Sequence, residues 1–179
     1  MKLKYFVACF FLVLTGCSES KNEGKNEPTD HKKTFTSDSL HFTISYPANW
    51  EVKEKESKVG ILEPYKDSTD KFQENIVVWV EEMPLAISDS LYAKATLAEL
   101  RIKNPTLTIQ SFPSKKFGDH TFSYFEFDLP GDDRNYKVIG YTTVKDRRGY
   151  NFSCTYEASA SGDYKTSFES IVSTFKPLP

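Results

Sequence analysis

Residues 75–81 read NIVVWVE. In an extended strand Ile76, Val78 and Val80 fall on one face, and Val77 and Trp79 on the other. A strand that is apolar on both faces must be covered on both. This places the segment inside a sheet with a layer of chain on each side, and argues against a helical bundle or a one-sided antiparallel sheet facing water.

The flanking sequence supplies elements for such a sandwich. Phe42, Ile44 and Tyr46 alternate with polar neighbours. Pro47, which has no N–H to donate to a ladder, then turns the chain before a strand through Val52, and a further short strand follows at 59–62. Four more strands are expected at 106–112, 121–129, 136–144 and 149–157, the last three joined by the turn-like Pro130-Gly131-Asp132-Asp133 and Asp146-Arg147-Arg148-Gly149. Ser88 is a good N-cap for a helix through Lys103, with Ala93, Thr96, Leu97 and Leu100 on one side. The opposite stripe of Leu91, Ala95, Ala98 and Ile102 predicts light cover there. A second helix is marked by Tyr164, Phe168, Ile171, Val172 and Phe175, after Ser161-Gly162-Asp163 and before Lys176-Pro177. The expected fold class is α+β, an antiparallel sheet of about six strands sandwiched between helices. No internal repeat is visible.

The N-terminal residues have a different character. Lys2 and Lys4 precede an apolar run of about 12 residues, which as a helix spans about 18 Å against a roughly 30 Å hydrocarbon layer, so a cleaved signal fits better than a membrane span. Leu14-Thr15-Gly16-Cys17 resembles the lipobox of bacterial lipoproteins. In that family the cysteine thiol takes a diacylglyceryl group, the preceding peptide is removed and the new amino terminus is acylated, palmitate being a typical chain. The resemblance implies a signal peptide at 1–16, lipidation at Cys17 and durable attachment, because two or three acyl chains hold where one does not. Ser18 in place of aspartate points to the outer membrane if the cell is Gram-negative, facing the periplasm or the cell surface.

Residues 18–33 carry no large apolar side chain and read as a tether, with a span on the order of 20 to 24 Å as a flexible coil. The expected organisation is therefore signal peptide 1–16, lipidated cysteine and tether 17–33, and one globular domain at 34–179. Of 179 residues 39% are hydrophobic and 15% aromatic, enough for that domain to build its own core. Removing Lys2 and Lys4 lowers the basic count from 23 to 21 against 25 acidic residues, a formal −4 that suits solubility and speaks against nucleic-acid binding.

The Phe-x-Ile-x-Tyr-Pro-x-x-Trp segment from Phe42 to Trp50, the mid-chain helix, the run of hairpins and the C-terminal Tyr-x3-Phe-x2-Ile-x3-Phe together resemble the PsbP-like superfamily across residues 34–176. The resemblance implies an antiparallel sheet between helices. Its members include an accessory subunit of photosystem II, a Ran-binding nucleotide-release factor and many bacterial lipoproteins, most characterised ones binding proteins. The motifs are core aromatics, so they carry fold and leave function open.

Candidate chemistry is sparse. His31 lies in the tether, His41 flanks the first strand and His120 sits at a turn, none spaced from another as metal ligands require, and no HExxH or CxxC occurs. Neither a GxSxG elbow, a GxGxxG run nor a phosphate loop is present. Cys154 falls on the apolar face of a strand and reads as a buried thiol. Asp132 and Asp133 read as turn residues, and the neighbours Glu81 and Glu82, which point to opposite faces, as an exposed strand end. Trp50 and Trp79 read as core. Arg147 and Arg148, at a hairpin tip, are the paired cations best placed to meet an acidic partner or lipid headgroups, weighed against a solubilising turn. The reading is a non-enzymatic, membrane-anchored accessory or protein-binding domain of the cell envelope, with no cofactor and no metal. A small-molecule or lipid carrier and an enzyme with a scattered site are the alternatives.

Overall fold

The computed structural model describes residues 31–109 and 113–179. The expected signal peptide, Cys17 and most of the tether lie outside the described residues. The strands are β1 (Lys32–Ser37), β2 (Phe42–Pro47), β3 (Glu51–Lys55), β4 (Lys58–Leu62), β5 (Asn75–Glu82), β6 (Ser114–Phe117), β7 (His120–Pro130), β8 (Asn135–Lys145), β9 (Arg148–Glu157) and β10 (Lys176–Pro177). The helices are α1 (Asp89–Lys103) and α2 (Tyr164–Val172). Seven strands form one antiparallel sheet in the order β3-β4-β5-β9-β8-β7-β6, and β1-β2-β10 form a second, smaller one. Among the described residues no helix is long and apolar enough to cross a membrane.

The two-sided strand explains the layering. From β5, Ile76 and Val78 enter a large cluster with α2 and the small sheet, while Glu81, on the other face, meets Tyr92 of α1. The large cluster is mainly aromatic and aliphatic: Phe42, Ile44, Trp50, Phe122, Tyr141, Tyr150, Phe152, Phe168 and Phe175 are all buried. The Phe175 ring centroid lies 4.9 Å from Tyr150, 5.2 Å from Phe152, 5.9 Å from Phe42 and 6.0 Å from Phe122, tying both sheets together. Under α1 the cluster is smaller, made by Leu97, Leu100, Ile109 and Phe125. There the sheet is notched to receive side chains. A Cβ on Gly140 would stand 2.1 Å from the Phe125 ring, and one on Gly149 would stand 2.2 Å from the Tyr92 ring.

The expected α+β sandwich is present, with four differences in detail. β2 leaves the main sheet for the small one, because its buried residues Phe42, Ile44 and Tyr46 face the main sheet across the core. β1 begins at Lys32, two residues before the expected domain start, since Lys32 and Lys33 pair with Pro47 and Tyr46. The strand expected at 106–112 is absent from 106–109, where Leu107 N–H bonds back to Asn104 O and Ile109 plugs the cluster under α1. Residues 110–112 lie outside the described residues, and the strand comes at β6. Phe175 is beyond α2, not on it: the helix closes at Val172, and the chain turns into β10 against β2.

Candidate functional site

Two groups of ionisable side chains line α2. At its start Asp163 caps the helix by accepting from Thr166 N–H at 3.1 Å, and the next residue, Tyr164, faces the 63–74 loop. The loop is fixed by its own side chains. Asp67 accepts from Thr69 N–H at 2.7 Å and from its hydroxyl at 2.6 Å, Asp70 accepts from Lys66 N–H at 3.0 Å, and Glu63 N–H donates to Glu74 O at 2.8 Å. These bonds bring three charges beside Tyr164. Lys66 Nζ stands 3.4 Å from Glu74 Oε1 and 5.3 Å from the Tyr164 ring centroid. Glu74 is only 3% exposed.

Tyr164, and then Glu74, hold the Lys66 ammonium above its ordinary range. Burial pushes the Glu63 carboxyl up, opposed by Tyr164 and Lys66, and Glu63 Oε2 is buried without a hydrogen-bond partner among the described residues. The cluster therefore pairs Lys66 with Glu74 and leaves Glu63 Oε2 as a buried acceptor.

Farther along α2, Glu169 receives an ion pair from Lys115 of β6 and lies 3.5 Å from Tyr141 Oη. Lys165 pairs with Glu126 at 2.5 Å and lies 5.2 Å from the centroid of Tyr124, which Lys115 also approaches at 5.6 Å. Beside these groups a groove of about 420 Å³ runs past Tyr124, Glu126, Asp128, Lys137, Tyr156 and Lys165. Its volume falls in the range of small-molecule sites, and its wall combines the ion pairs Lys165–Glu126 and Lys137–Asp128 with the apolar Pro113, Phe127 and Val138.

The residues singled out from the sequence are scattered. Arg147 is exposed at the β8–β9 turn, where it and Asp146 adopt left-handed φ values of 59° and 49°. Arg148 is not a free cation: its Nε donates to Glu82 at 2.9 Å, so the expected exposed pair is a single arginine. The cause is the β5–β9 register, which sets Glu82 directly across from Arg148. Glu81, read as exposed, is half-buried and accepts from Tyr92 Oη at 2.9 Å, and burial raises its carboxyl. His41 Nδ1 contacts the Pro179 carbonyl at 2.9 Å, and His120 packs edge-on to Phe175. Cys154 is fully buried, with its thiol pushed up by desolvation. Trp50 is buried against Phe168, and Trp79 is half-buried. Among the described residues no three His, Cys, Asp or Glu side chains are grouped as a metal site. The α2 clusters are not legible in the sequence because the segments that meet are far apart along the chain, Glu63 and Tyr164 being 101 residues apart. The one local signal was a glutamate at each end of an Asp-rich loop.

This sandwich, a seven-stranded antiparallel sheet with a helix on each face, superposes on solved structures. LpqN, involved in cell envelope biogenesis of Mycobacterium tuberculosis, superposes with a TM-score of 0.62 at 15% identity, over 84% of this chain and 93% of that one. The cyanobacterial PsbP of Synechocystis sp. PCC 6803 superposes at 0.59 and 13% identity, over 87% and 98%. The domain has the PsbP-like fold. A Bacteroides thetaiotaomicron structure also matches, with a TM-score of 0.55 at 15% identity over 82% of this chain, which spans about half (48%) of that protein. No family model matches the chain, and no curated protein matches it in sequence. At these identities, 13 to 15%, the PsbP-like likeness is one of fold.

Proposed function

We propose that this protein is an exported lipoprotein whose PsbP-like domain serves as a non-enzymatic accessory or protein-binding module of the cell envelope, held on a membrane through acylated Cys17. The observation that carries this reading is Leu14-Thr15-Gly16-Cys17 after a short apolar run and before a polar tether that ends at β1. LpqN, of the same fold, is involved in envelope biogenesis, which favours an envelope setting here. The titratable side chains also fit a binding module. Tyr92 with Glu81 and Lys115 with Glu169 hold elements of the fold to one another, and Lys66 with Glu74 closes the 63–74 loop.

The test is affinity purification of tagged full-length protein after mild crosslinking in intact cells, with Cys17→Ala as control. The expected result is membrane-fraction protein bearing a diacylglyceryl mass at Cys17, with one partner in near-equal amount that is lost in the control. Unmodified Cys17 would overturn the anchor. A lipidated protein with no partner but a co-purifying small molecule would favour a carrier instead.

A further inference from the structure

Helix α1 is apolar on two opposite sides. Tyr92, Ala93, Leu97 and Leu100 are buried against the sheet, and Leu91, Ala95, Ala98 and Ile102 form an exposed stripe on the outer side, Leu91 being 54% and Ile102 79% exposed. A helix with a stripe on each side is built to be covered twice.

The spacing of the outer stripe is four, three, four. That is the d-a-d-a seam of a heptad, with Leu91 and Ala98 at d and Ala95 and Ile102 at a. In this register Lys94 is a g position and Glu99 the e position that follows five residues later. Both are exposed, and neither forms an ion pair among the described residues. In a parallel pair of such helices each g side chain meets the e side chain of the partner five residues on, so Lys94 faces Glu99 of the other copy, twice by symmetry. An antiparallel pair would instead bring Lys94 and Arg101 of both copies together on one flank, like charge against like.

We infer that the outer face of α1 docks a second copy of this chain, through a parallel α1–α1 seam whose two-fold axis runs along the helices. The central alanines let the two backbones approach, Leu91 and Ile102 close the ends, and the crossed Lys94–Glu99 pairs fix the direction. The seam is about 16 Å long from Leu91 to Ile102, and so buries less than the roughly 800 Å² per partner of a standard interface. It is a weak contact that becomes populated where copies are concentrated on a surface. This inference rests on the anchored reading for its setting. A two-fold axis along α1 leaves both Lys32 residues at the same level along that axis, so both tethers can reach one membrane.

The experiment is disulfide trapping of full-length Leu91→Cys protein on phosphatidylethanolamine/phosphatidylglycerol vesicles, with flotation scored in parallel. In the lipidated chain Cys17 is acylated, and Cys154 is fully buried, so the new thiol is the reactive one. The parallel seam predicts Leu91→Cys homodimers forming at least about tenfold faster than with Asp132→Cys, an exposed turn position, at the same surface density. Lys94→Glu and Glu99→Lys should each slow trapping by about three- to tenfold, and the double swap should restore it. Protein that floats but traps no faster than Asp132→Cys overturns the seam. So does trapping only between mixed Leu91→Cys and Ile102→Cys chains, the antiparallel outcome. Protein that fails to float overturns the anchor instead, and the seam is then decided by the same trapping comparison in a Cys9→Ala, Cys17→Ala background at about millimolar protein in solution.

Discussion

The two faces of the main sheet are held by different physics. On the α2 side twenty buried residues, from Leu40 to Phe175, form one cluster. On the α1 side the buried cluster is small, four residues with Tyr92 and Ala93 buried beside it, and polar contacts add to the attachment of the helix. Asp89 accepts from Val144 N–H at 2.6 Å, Tyr92 donates to Glu81, and Asn151 donates in turn to Tyr92. Apolar burial scales with area and tolerates little loss, whereas a hydrogen bond adds about 1 kcal/mol net. The α2 face therefore sets global stability. The α1 face is the more easily opened one, which suits the surface proposed for docking.

Phe168→Ala should cost most, about 3 to 5 kcal/mol, and should lower the denaturant midpoint of the whole domain in one transition. Leu97→Ala, in the smaller cluster, should cost about 2 to 3 kcal/mol, with faster amide exchange across α1 before the sheet opens. Equal losses and identical exchange patterns for the two would break the distinction between the faces. Gly149→Ala forces a methyl into the Tyr92 ring and should cost about 1 to 3 kcal/mol, read as the same early opening of α1.

The smallest effect concerns Glu81. Burial raises its carboxyl above the usual 4.5, so the folded chain keeps a proton that the unfolded chain releases. Stability then falls as pH rises from 4.5 through the higher folded value, and the loss is complete above it. Glu81→Gln should gain on the wild type across that window, and the gap should vanish below 4.5. A pH-independent difference in midpoint would show that Glu81 is not charged against the α1 face.

Much of this architecture is legible in local pattern, because a half-buried strand or a capped helix obeys a period of its own. The alternation at Phe42, Ile44 and Tyr46, the two-sided β5 and the Ser88 cap all correspond to elements found in the structure. Local pattern does not fix which sheet a strand joins. β2 has the same alternation it would have in the main sheet, and only its pairing with β1 and β10 removes it. Phe175 continued the helical period, yet the ring is needed among Tyr150, Phe152 and Phe42, and the chain leaves the helix to place it there. Arg148 and Glu81 differ from what local pattern implies because their partners, Glu82 and Tyr92, are set by register and packing and not by sequence neighbourhood. For the same reason the α2 clusters were invisible, whereas the α1 stripe, local by nature, was read in advance.

The hairpin of β1 and β2 also has a mechanical reading. Force entering from the N-terminal side arrives at Lys32, at the open end of the hairpin, where the outermost bond is His31 O accepting from Ala48 N–H at 2.8 Å and the turn lies at the far end. Such a pull loads the ladder one rung at a time instead of shearing all rungs together. β1 should therefore peel at low force while the seven-stranded sheet stays intact. Its six residues would release about 20 Å of extended chain, making the first strand a short spring in series with whatever holds the protein in place.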